Sequence, residues 1–173
     1  MVYWQVPRSA GHLAYREYMM SINKPIELTA EGKSELEEKL RYLKTVKRPE
    51  LAQKIGQAAS DGDLSENGAY HNAKEEQGRI EGQIAELEHV LRNATVAQDT
   101  GDVVGIGKRV TVEDETGRQR VYRLVSSHEV NPDQGQISDR SPIGSALLGR
   151  RAGDTVIAET PGRARTFTIK SVE

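Results

Sequence analysis

Two acidic residues, Asp63 and Glu66, lie in a short break between two long segments that have helical periodicity. The break, residues 60–67, reads SDGDLSEN. Carboxylate oxygens are hard ligands that suit Mg²⁺ or Mn²⁺. A pair of carboxylates fills only part of an octahedral shell, so a metal held here takes its other ligands from another molecule. The competing interpretation is structural, because acids before and within the first turn of a helix are ordinary caps and dipole partners.

The other reactive residue types form no comparable pattern. His71 follows Glu66 closely, but a histidine on a surface helix is more often solvated than bound to a metal. The chain has no cysteine, which excludes disulfides, thiolate metal sites and cysteine nucleophiles. It has no phosphate-binding loop and no Gly-x-Ser-x-Gly elbow. The sequence therefore places its candidate chemistry in the acidic pair.

The composition indicates an extended protein with a modest core. Hydrophobic residues make up 36% and aromatic residues 5% of the 173 residues, which is low for one compact domain. A net charge of −2 does not favour autonomous binding to duplex nucleic acid. No stretch approaches the ~20 apolar residues of a membrane span, so we expect no membrane partner. The absence of cysteine is compatible with a reducing cytoplasm, where we expect the protein to act.

The segment before the break predicts one long helix. After Thr29, a suitable N-cap, apolar residues recur mostly at spacings of three and four. These residues are Leu36, Leu40, Leu43, Val46, Leu51, Ile55 and Ala58 or Ala59. Pro49 interrupts the stripe and removes one backbone hydrogen bond, at a cost of ~3 kcal/mol. Because the stripe resumes beyond the proline, we predict a single kinked helix.

A second helix is predicted after the break, with Ser65 as its N-cap. Its stripe consists of Tyr70, Ala73, Gln77, Ile80, Ile84, Leu87 and Leu91. A seam this narrow is typical of an antiparallel two-helix coiled coil. About thirty residues per helix give a rod of roughly 45 Å at a rise of about 1.5 Å per residue. The sequence thus predicts a long, thin hairpin that carries the two acids at its end.

The pattern changes near residue 100 to short β-rich runs. These runs cover residues 109–113, 120–126, 154–159 and 165–172. Ser141 and Pro142 precede an apolar run, which predicts a short helix with proline at its start. The arginines of this α+β module are nearly balanced by acids, so a binding patch and scattered solubilising charge are both open interpretations.

We divide the chain into three parts. Residues 1–25 form an extension that we expect to be disordered, or to derive from an upstream start codon or a vector. The competing interpretation is a docking arm with aromatic anchors such as Trp4. Residues 26–97 form the helical hairpin, and residues 98–173 form the C-terminal domain.

Several motifs of the chain resemble a known family. Residues 62–67 (GDLSEN), 70–71 (YH) and 73–77 (AKEEQ) are together similar to the signature of the bacterial Gre transcript-cleavage factors. Further similar motifs are Arg48-Pro49-Glu50, Asn93-Ala94, Ser141-Pro142-Ile143 and Leu147-Leu148-Gly149. The resemblance extends from Ile26 to Glu173 with the motifs in the same order.

This resemblance implies both a fold and a function. The fold is α+β: an N-terminal antiparallel two-helix coiled coil followed by a small FKBP-like antiparallel β-sheet domain with a short helix. The hairpin is expected to enter the secondary channel of bacterial RNA polymerase, while the C-terminal domain docks at the channel rim. The protein is expected to be an accessory factor rather than an enzyme. It would stimulate the polymerase to cleave backtracked RNA, releasing a 3′ fragment and rescuing arrested complexes.

The resemblance also assigns the tip residues. Asp63 and Glu66 are expected to act within the polymerase active site and to help hold a Mg²⁺ ion and a water. That Mg²⁺ is shared with RNA polymerase, and we expect no cofactor to stay bound to the chain alone. In-line hydrolysis of a phosphodiester with two metals agrees with such a role.

Contacts with the polymerase and the RNA are assigned in the same way. The resemblance implies polymerase docking through Ser141 and Pro142. Relatives often carry basic residues where this chain has Gln-Ala-Ala-Ser at residues 57–60, so Lys74 and Arg79 are the candidate contacts for the extruded RNA 3′ end. Arg140 also departs from the polar or acidic residue expected before Ser141, which predicts that docking through that loop is tuned differently.

Three alternatives follow from other features. A non-cleaving relative that enters the same channel and inhibits the polymerase would need a rearranged tip. A prolyl isomerase needs a deep aromatic pocket, whereas residues 102–173 contain only Tyr122 and Phe167 as aromatic side chains. A generic coiled-coil adaptor would tolerate Asp63→Asn and Glu66→Gln, and a cleavage factor would not.

Overall fold

The computed structural model describes residues 25–60 and 67–173. The expectations for residues 1–24 and for the tip acids Asp63 and Glu66 lie outside this part of the chain. Within it, the predicted fold class is confirmed, because a long helical region precedes a small, mostly antiparallel sheet domain that carries a short helix.

The helical region is a hairpin, which we call the finger. Its helices are α1 (Ala30–Tyr42), α2 (Arg48–Ser60) and α3 (Gly68–Arg92), with a π-helical turn at Leu43–Lys47 between α1 and α2. The outgoing and returning arms bury one apolar seam: Leu28, Leu36, Leu43, Leu51, Ile80, Ile84, Leu87 and Val90. Thr29 is the N-cap of α1, as predicted, since its hydroxyl accepts the Gly32 N–H at 2.9 Å.

The π-helical turn explains how the outgoing helix tolerates Pro49. A proline ring in an α-helix clashes with the carbonyl four residues earlier, which is Thr45 here. The wider π turn bonds Arg48 N–H to the Leu43 carbonyl, five residues back, and so carries the chain past this point without a break. The π turn contains one more residue than an α-helical turn, and this shifts which side chains face the other arm. Val46, predicted in the seam, is 37% exposed, and that assignment was wrong.

A small parallel ladder closes the base of the finger. Strand β1 (Ile26–Leu28) precedes the helices in sequence and strand β2 (Ala94–Val96) follows them, and the two strands pair in parallel. Leu28 is fully buried. The sequence analysis missed both strands, because three residues are too few to show a period of two.

The C-terminal sheet consists of β3 (Arg109–Asp114), β4 (Gln119–Val125), β5 (Gln136–Ser138), β6 (Thr155–Thr160) and β7 (Arg163–Val172). Its strand order is β5-β4-β3-β7-β6. The pairs are antiparallel except β4–β5, which is parallel, so the prediction of a purely antiparallel sheet needs correction. The predicted runs match β3, β4, β6 and β7 within two residues at each end.

One face of this sheet forms the second core. It buries Val104, Val110, Val112, Leu124, Leu147, Val156, Ala158, Phe167 and Ile169. The short helix α4 (Pro142–Leu147) begins with proline as predicted and contributes Leu147 to this core. Gly144 permits the close approach of α4, since a Cβ there would lie 1.9 Å from the Ser138 carbonyl oxygen. No helix in the described ranges is both long and apolar enough to cross a membrane.

Two glycines inside α3 give a test of the finger's stability. Gly78 and Gly82 have no atom within 4 Å of an added Cβ. We expect Gly78→Ala and Gly82→Ala each to raise the free energy of unfolding by about 0.5–1 kcal/mol, because alanine loses less backbone entropy in a helix. Urea unfolding followed by circular dichroism measures this. Gly144→Ala is the contrasting variant and should destabilise the chain; a gain there would contradict the packing described.

Candidate functional site

Asn67, the residue after positions 61–66, joins the two arms of the finger at their far end. Its Oδ1 accepts the Tyr70 N–H at 3.1 Å and caps α3, while its Nδ2 donates to the Ala58 carbonyl of α2 at 2.6 Å. The helix therefore begins at Gly68 with Asn67 as its N-cap, and not at Ser65 as predicted. One side chain thus holds the two helix ends together.

Chain connectivity places the acidic pair at the end of the finger. Residues 61–66, which we call the tip segment, join Ser60 to Asn67 and contain Asp63 and Glu66. From Ala30 to Ser60 the outgoing arm rises about 45 Å at about 1.5 Å per residue. Asp63 and Glu66 themselves lie outside the described residues, so their place at the end of the finger, remote from the C-terminal domain, stays a prediction.

Ion pairs between the arms reinforce the alignment of the two helices. Arg48 reaches across to Glu81 with both ends of its guanidinium group, and its Nε lies 2.8 Å from Oε1. One level nearer the base, Lys44 pairs with Glu88. These side chains are well exposed, so the pairs define the relative register of the helices more than they add to stability.

These ion pairs also lower the pKa values of Glu81 and Glu88. The hydrogen bond from Arg48 holds the pKa of the Glu81 carboxyl below its ordinary value. The hydrogen bond from Lys44 does the same to the pKa of the Glu88 carboxyl. Since an opposite charge favours the ionised form, both acids remain charged at neutral pH and the pairs persist there.

The two candidate RNA contacts point in different directions. Lys74 is exposed and donates to Gln77 Oε1 at 2.7 Å, whereas Arg79 lies 3.9 Å from Glu76. Five residues of α-helix separate them by about 140° around the axis. Along the axis, Lys74 is about 10 Å and Arg79 about 18 Å from Asn67. The structure does not bring them together, and Lys74 lies nearer the tip segment.

A cleft between the arms near the tip was not anticipated from the sequence. It has a volume of about 380 Å³ and is lined by Lys54, Gln57, Ala58, Ala69, Asn72, Ala73 and Glu76. Lys54 is a basic side chain on the face of α2 that borders this cleft. A helical-wheel comparison of both arms would have found it, because Lys54 precedes Ala58 by four residues.

The loop before α4 contains the two candidate docking residues. Ser141 Oγ accepts the Gly144 N–H at 3.0 Å and donates to the Ser138 carbonyl at 2.7 Å. Pro142 occupies the first turn of α4 and is exposed. Ser141 is therefore the N-cap of the helix, and Pro142 presents the free surface of this loop.

The residues in the described ranges bring together no group of three or more His, Asp or Glu side chains that could hold a metal ion. The acids assigned to Mg²⁺, Asp63 and Glu66, lie outside those ranges. Their donor chemistry fits Mg²⁺, which prefers oxygen ligands, but two carboxylates are an incomplete set for it.

Comparison with protein families identifies the chain. The model described as "Transcription elongation factor, N-terminal" matches residues 26–96. The model described as "Transcription elongation factor, GreA/GreB, C-term" matches residues 98–173. This chain belongs to the GreA/GreB family of transcription elongation factors.

Individual relatives agree with this membership. A protein of Caldanaerobacter subterraneus subsp. tengcongensis named transcription elongation factor GreA is 52% identical over 156 residues, which cover 88% of this chain and 98% of that protein. The transcription elongation factor GreA of Bacillus subtilis is 48% identical over 83% of this chain and 93% of its own length. Among solved structures, the GreA factor homolog 1 (Gfh1) protein of Thermus thermophilus matches with a TM-score of 0.42 and 31% identity, covering 87% of this chain and 99% of that one.

The two hydrogen bonds of Asn67 can be separated by substitution. Asn67→Ala should lower the free energy of unfolding by about 1 kcal/mol through loss of the cap. Asn67→Asp keeps an oxygen for the Tyr70 N–H but loses the donor to Ala58. We expect the Asp variant to keep its helical content and to show faster amide hydrogen exchange in the last turn of α2. Exchange equal to that of the wild type would contradict a joining role.

Proposed function

We propose that this chain stimulates RNA polymerase to cleave backtracked RNA, with the finger inserted in the polymerase's secondary channel. The observation that supports this most is a pair of carboxylates, Asp63 and Glu66, placed by chain connectivity at the end of a thin helical hairpin about 45 Å long. A two-helix rod is narrow enough, at about 20 Å, to reach a buried reaction centre that a globular domain could not enter. Membership of the elongation-factor family supplies the partner.

The tip acids act on the metal and the water of the cleavage reaction. Mg²⁺ shared with the polymerase supplies Lewis acidity and a water of lowered pKa when it is bound. Asp63 and Glu66 would hold this ion with their carboxylate oxygens and would orient a water by accepting its hydrogen bonds. Two carboxylates cannot complete the coordination shell, so the chain alone binds no metal stably and is not itself an enzyme.

The structure around the tip segment supports a positioning role for the finger. Asn67 holds the ends of α2 and α3 together, and the Arg48–Glu81 and Lys44–Glu88 pairs preserve their register. Because sites on rigid elements are more accurate than sites on loops, these contacts would fix the two helix ends between which the tip segment runs. Lys74, about 10 Å from Asn67 along α3, is the better placed of the two candidate contacts for the extruded RNA 3′ end.

The C-terminal domain would dock at the rim of the channel. Ser141 and Pro142 are the candidate docking residues, and Pro142 is the more exposed of the two. Docking outside the channel leaves the finger free to extend inward. Binding affinity and cleavage therefore reside in different parts of the chain.

The first test concerns the tip acids. In backtracked elongation complexes with 3′-labelled RNA and Mg²⁺, the wild-type chain should release short 3′ fragments rapidly. Asp63→Asn/Glu66→Gln should lower the rate of release by about two orders of magnitude, because it removes both ionised ligands at nearly constant shape.

A matched control removes two acids elsewhere on the finger. Glu75 and Glu86 are exposed on α3, and Glu75→Gln/Glu86→Gln should retain the wild-type rate. Competition for polymerase should be the same for all three proteins. If the wild-type chain binds and stimulates no cleavage, it is a channel-occupying regulator, and Asp63 and Glu66 have no role in cleavage.

The second test concerns docking. Ser141→Ala/Pro142→Ala should weaken polymerase binding about tenfold, as measured by competition against a fluorescent wild-type chain. Because Ser141→Ala also removes an N-cap, Pro142→Ala alone should show part of the loss without a change in stability. Asn131→Ala is the matched control, since Asn131 caps a 3₁₀ turn in the same domain. Binding unchanged in the double variant would remove both residues from the docking surface.

A further inference from the structure

Glu129 links the C-terminal domain to the base of the finger. It lies in the turn after β4, and its Oε1 accepts the backbone N–H of Thr29 at 3.0 Å, from a residue 100 positions away in sequence. The Thr29 hydroxyl donates to the same oxygen. Oε2 accepts the Ser126 N–H at 3.1 Å, so the carboxylate bridges the two parts of the molecule.

The packing around this carboxylate is close. Thr29 is 8% and Ser126 5% exposed, and Glu129 is partly buried between them. A Cβ on Gly32 would lie 1.7 Å from Glu129 Oε1, and only glycine leaves room for the carboxylate there. A negative charge at this position is also favourable, because it faces the positive end of the α1 dipole. We call Thr29, Gly32, Ser126 and Glu129 the junction.

A second ion pair lies beside the junction. Arg123 of β4 reaches Glu31 in the first turn of α1 at 2.7 Å. Glu31 is 71% exposed, so this pair is weaker support than the buried contact of Glu129. Both contacts join β4 or the turn after it to the first turn of α1.

We propose that Glu129 is a positioning residue that determines the direction of the finger relative to the C-terminal domain. The effect of Glu129 on cleavage rests on the proposed function, whereas its effect on the orientation of the finger does not. The helix that Glu129 holds is the one that leads to the tip. A rotation of about 10° at the junction would displace a point 45 Å away by about 8 Å.

Such a displacement is large compared with what the chemistry tolerates. A misplacement of about 1 Å can cost a hundredfold in rate. If the C-terminal domain docks outside the channel, the tip acids reach the reaction centre only when the angle at the base is correct. The junction would therefore affect the rate of cleavage while leaving the docking surface unchanged.

Glu129→Gln is a sharp test of this idea. Oε1 accepts the Thr29 N–H at 3.0 Å together with the Thr29 hydroxyl, and Oε2 accepts the Ser126 N–H at 3.1 Å and, over a longer distance of 3.3 Å, the Thr29 N–H. A glutamine amide has a single acceptor oxygen, and its NH₂ group would face one of these donors. The matched control is Glu115→Gln, since Glu115 accepts the Thr166 N–H at 3.0 Å within the C-terminal domain.

The orientation can be measured directly. Because the chain has no cysteine, Gln53→Cys and Glu159→Cys introduce two unique, exposed sites for spin labels, one on α2 and one on β6. Pulsed dipolar spectroscopy should give one narrow distance distribution for the wild type and for Glu115→Gln. For Glu129→Gln we expect a broader or shifted distribution.

Glu129→Gln should affect the rate of RNA cleavage and leave the affinity for polymerase nearly unchanged. We expect Glu129→Gln to lower the rate of fragment release about tenfold or more, with polymerase affinity within about twofold of the wild type. An unchanged distance distribution in Glu129→Gln would overturn the proposal. A changed distribution with an unchanged cleavage rate would overturn its functional part.

A second variant tests the same contact in case Glu129→Gln does not fold. Gly32→Ala leaves Glu129 intact but places a methyl group where the carboxylate lies, and it should change the distance distribution in the same way. If Glu129→Gln does not fold, this variant decides the question. If the wild-type chain itself stimulates no cleavage, the proposed function fails, whereas the spectroscopic result still decides whether Glu129 orients the finger.

Discussion

The apolar seam between the arms of the finger is the interaction on which the rest of the structure depends. A two-helix hairpin has no third element to cover its core, so each arm is stable only while the other buries its stripe. Leu51 and Ile84 are nearly fully buried in this seam although the finger is thin. The Arg48–Glu81 pair adds an exposed contact between the two arms beside this seam.

A long two-helix rod is less rigid than a compact domain. In this chain, specific contacts hold the two arms together at both ends of the rod. At the far end, Asn67 uses one donor and one acceptor to join the end of α2 to the start of α3. At the base, β1 and β2 tie the beginning of one arm to the end of the other. The two arms are thus held together at both ends.

The C-terminal domain makes a different kind of contribution. Its core is separate from that of the finger, so the two parts of the chain each bury their own apolar residues. Glu129 joins the two with a partly buried carboxylate, which accepts hydrogen bonds from Thr29 on one side and Ser126 on the other. We propose that the angle of the finger depends on these polar contacts.

The sequence alone determined the features that depend on near neighbours. Helical periodicity identified both arms, alternation identified β3 and β7, and the type and spacing of Asp63 and Glu66 identified the candidate chemistry, which the resemblance to the Gre factors made specific. These signals are local, because a helix repeats within a few residues and a strand within two.

Tertiary structure decided everything that needs a distant partner. At the π turn, the set of side chains that face the other arm changes, and Val46 is exposed as a result. Strand β5 pairs parallel to β4, where the sequence analysis expected an antiparallel sheet. The contact of Glu129 with Thr29 spans 100 positions of sequence. No pattern within either segment could reveal it, because a carboxylate finds a buried N–H only after two separate cores have formed and brought the segments together.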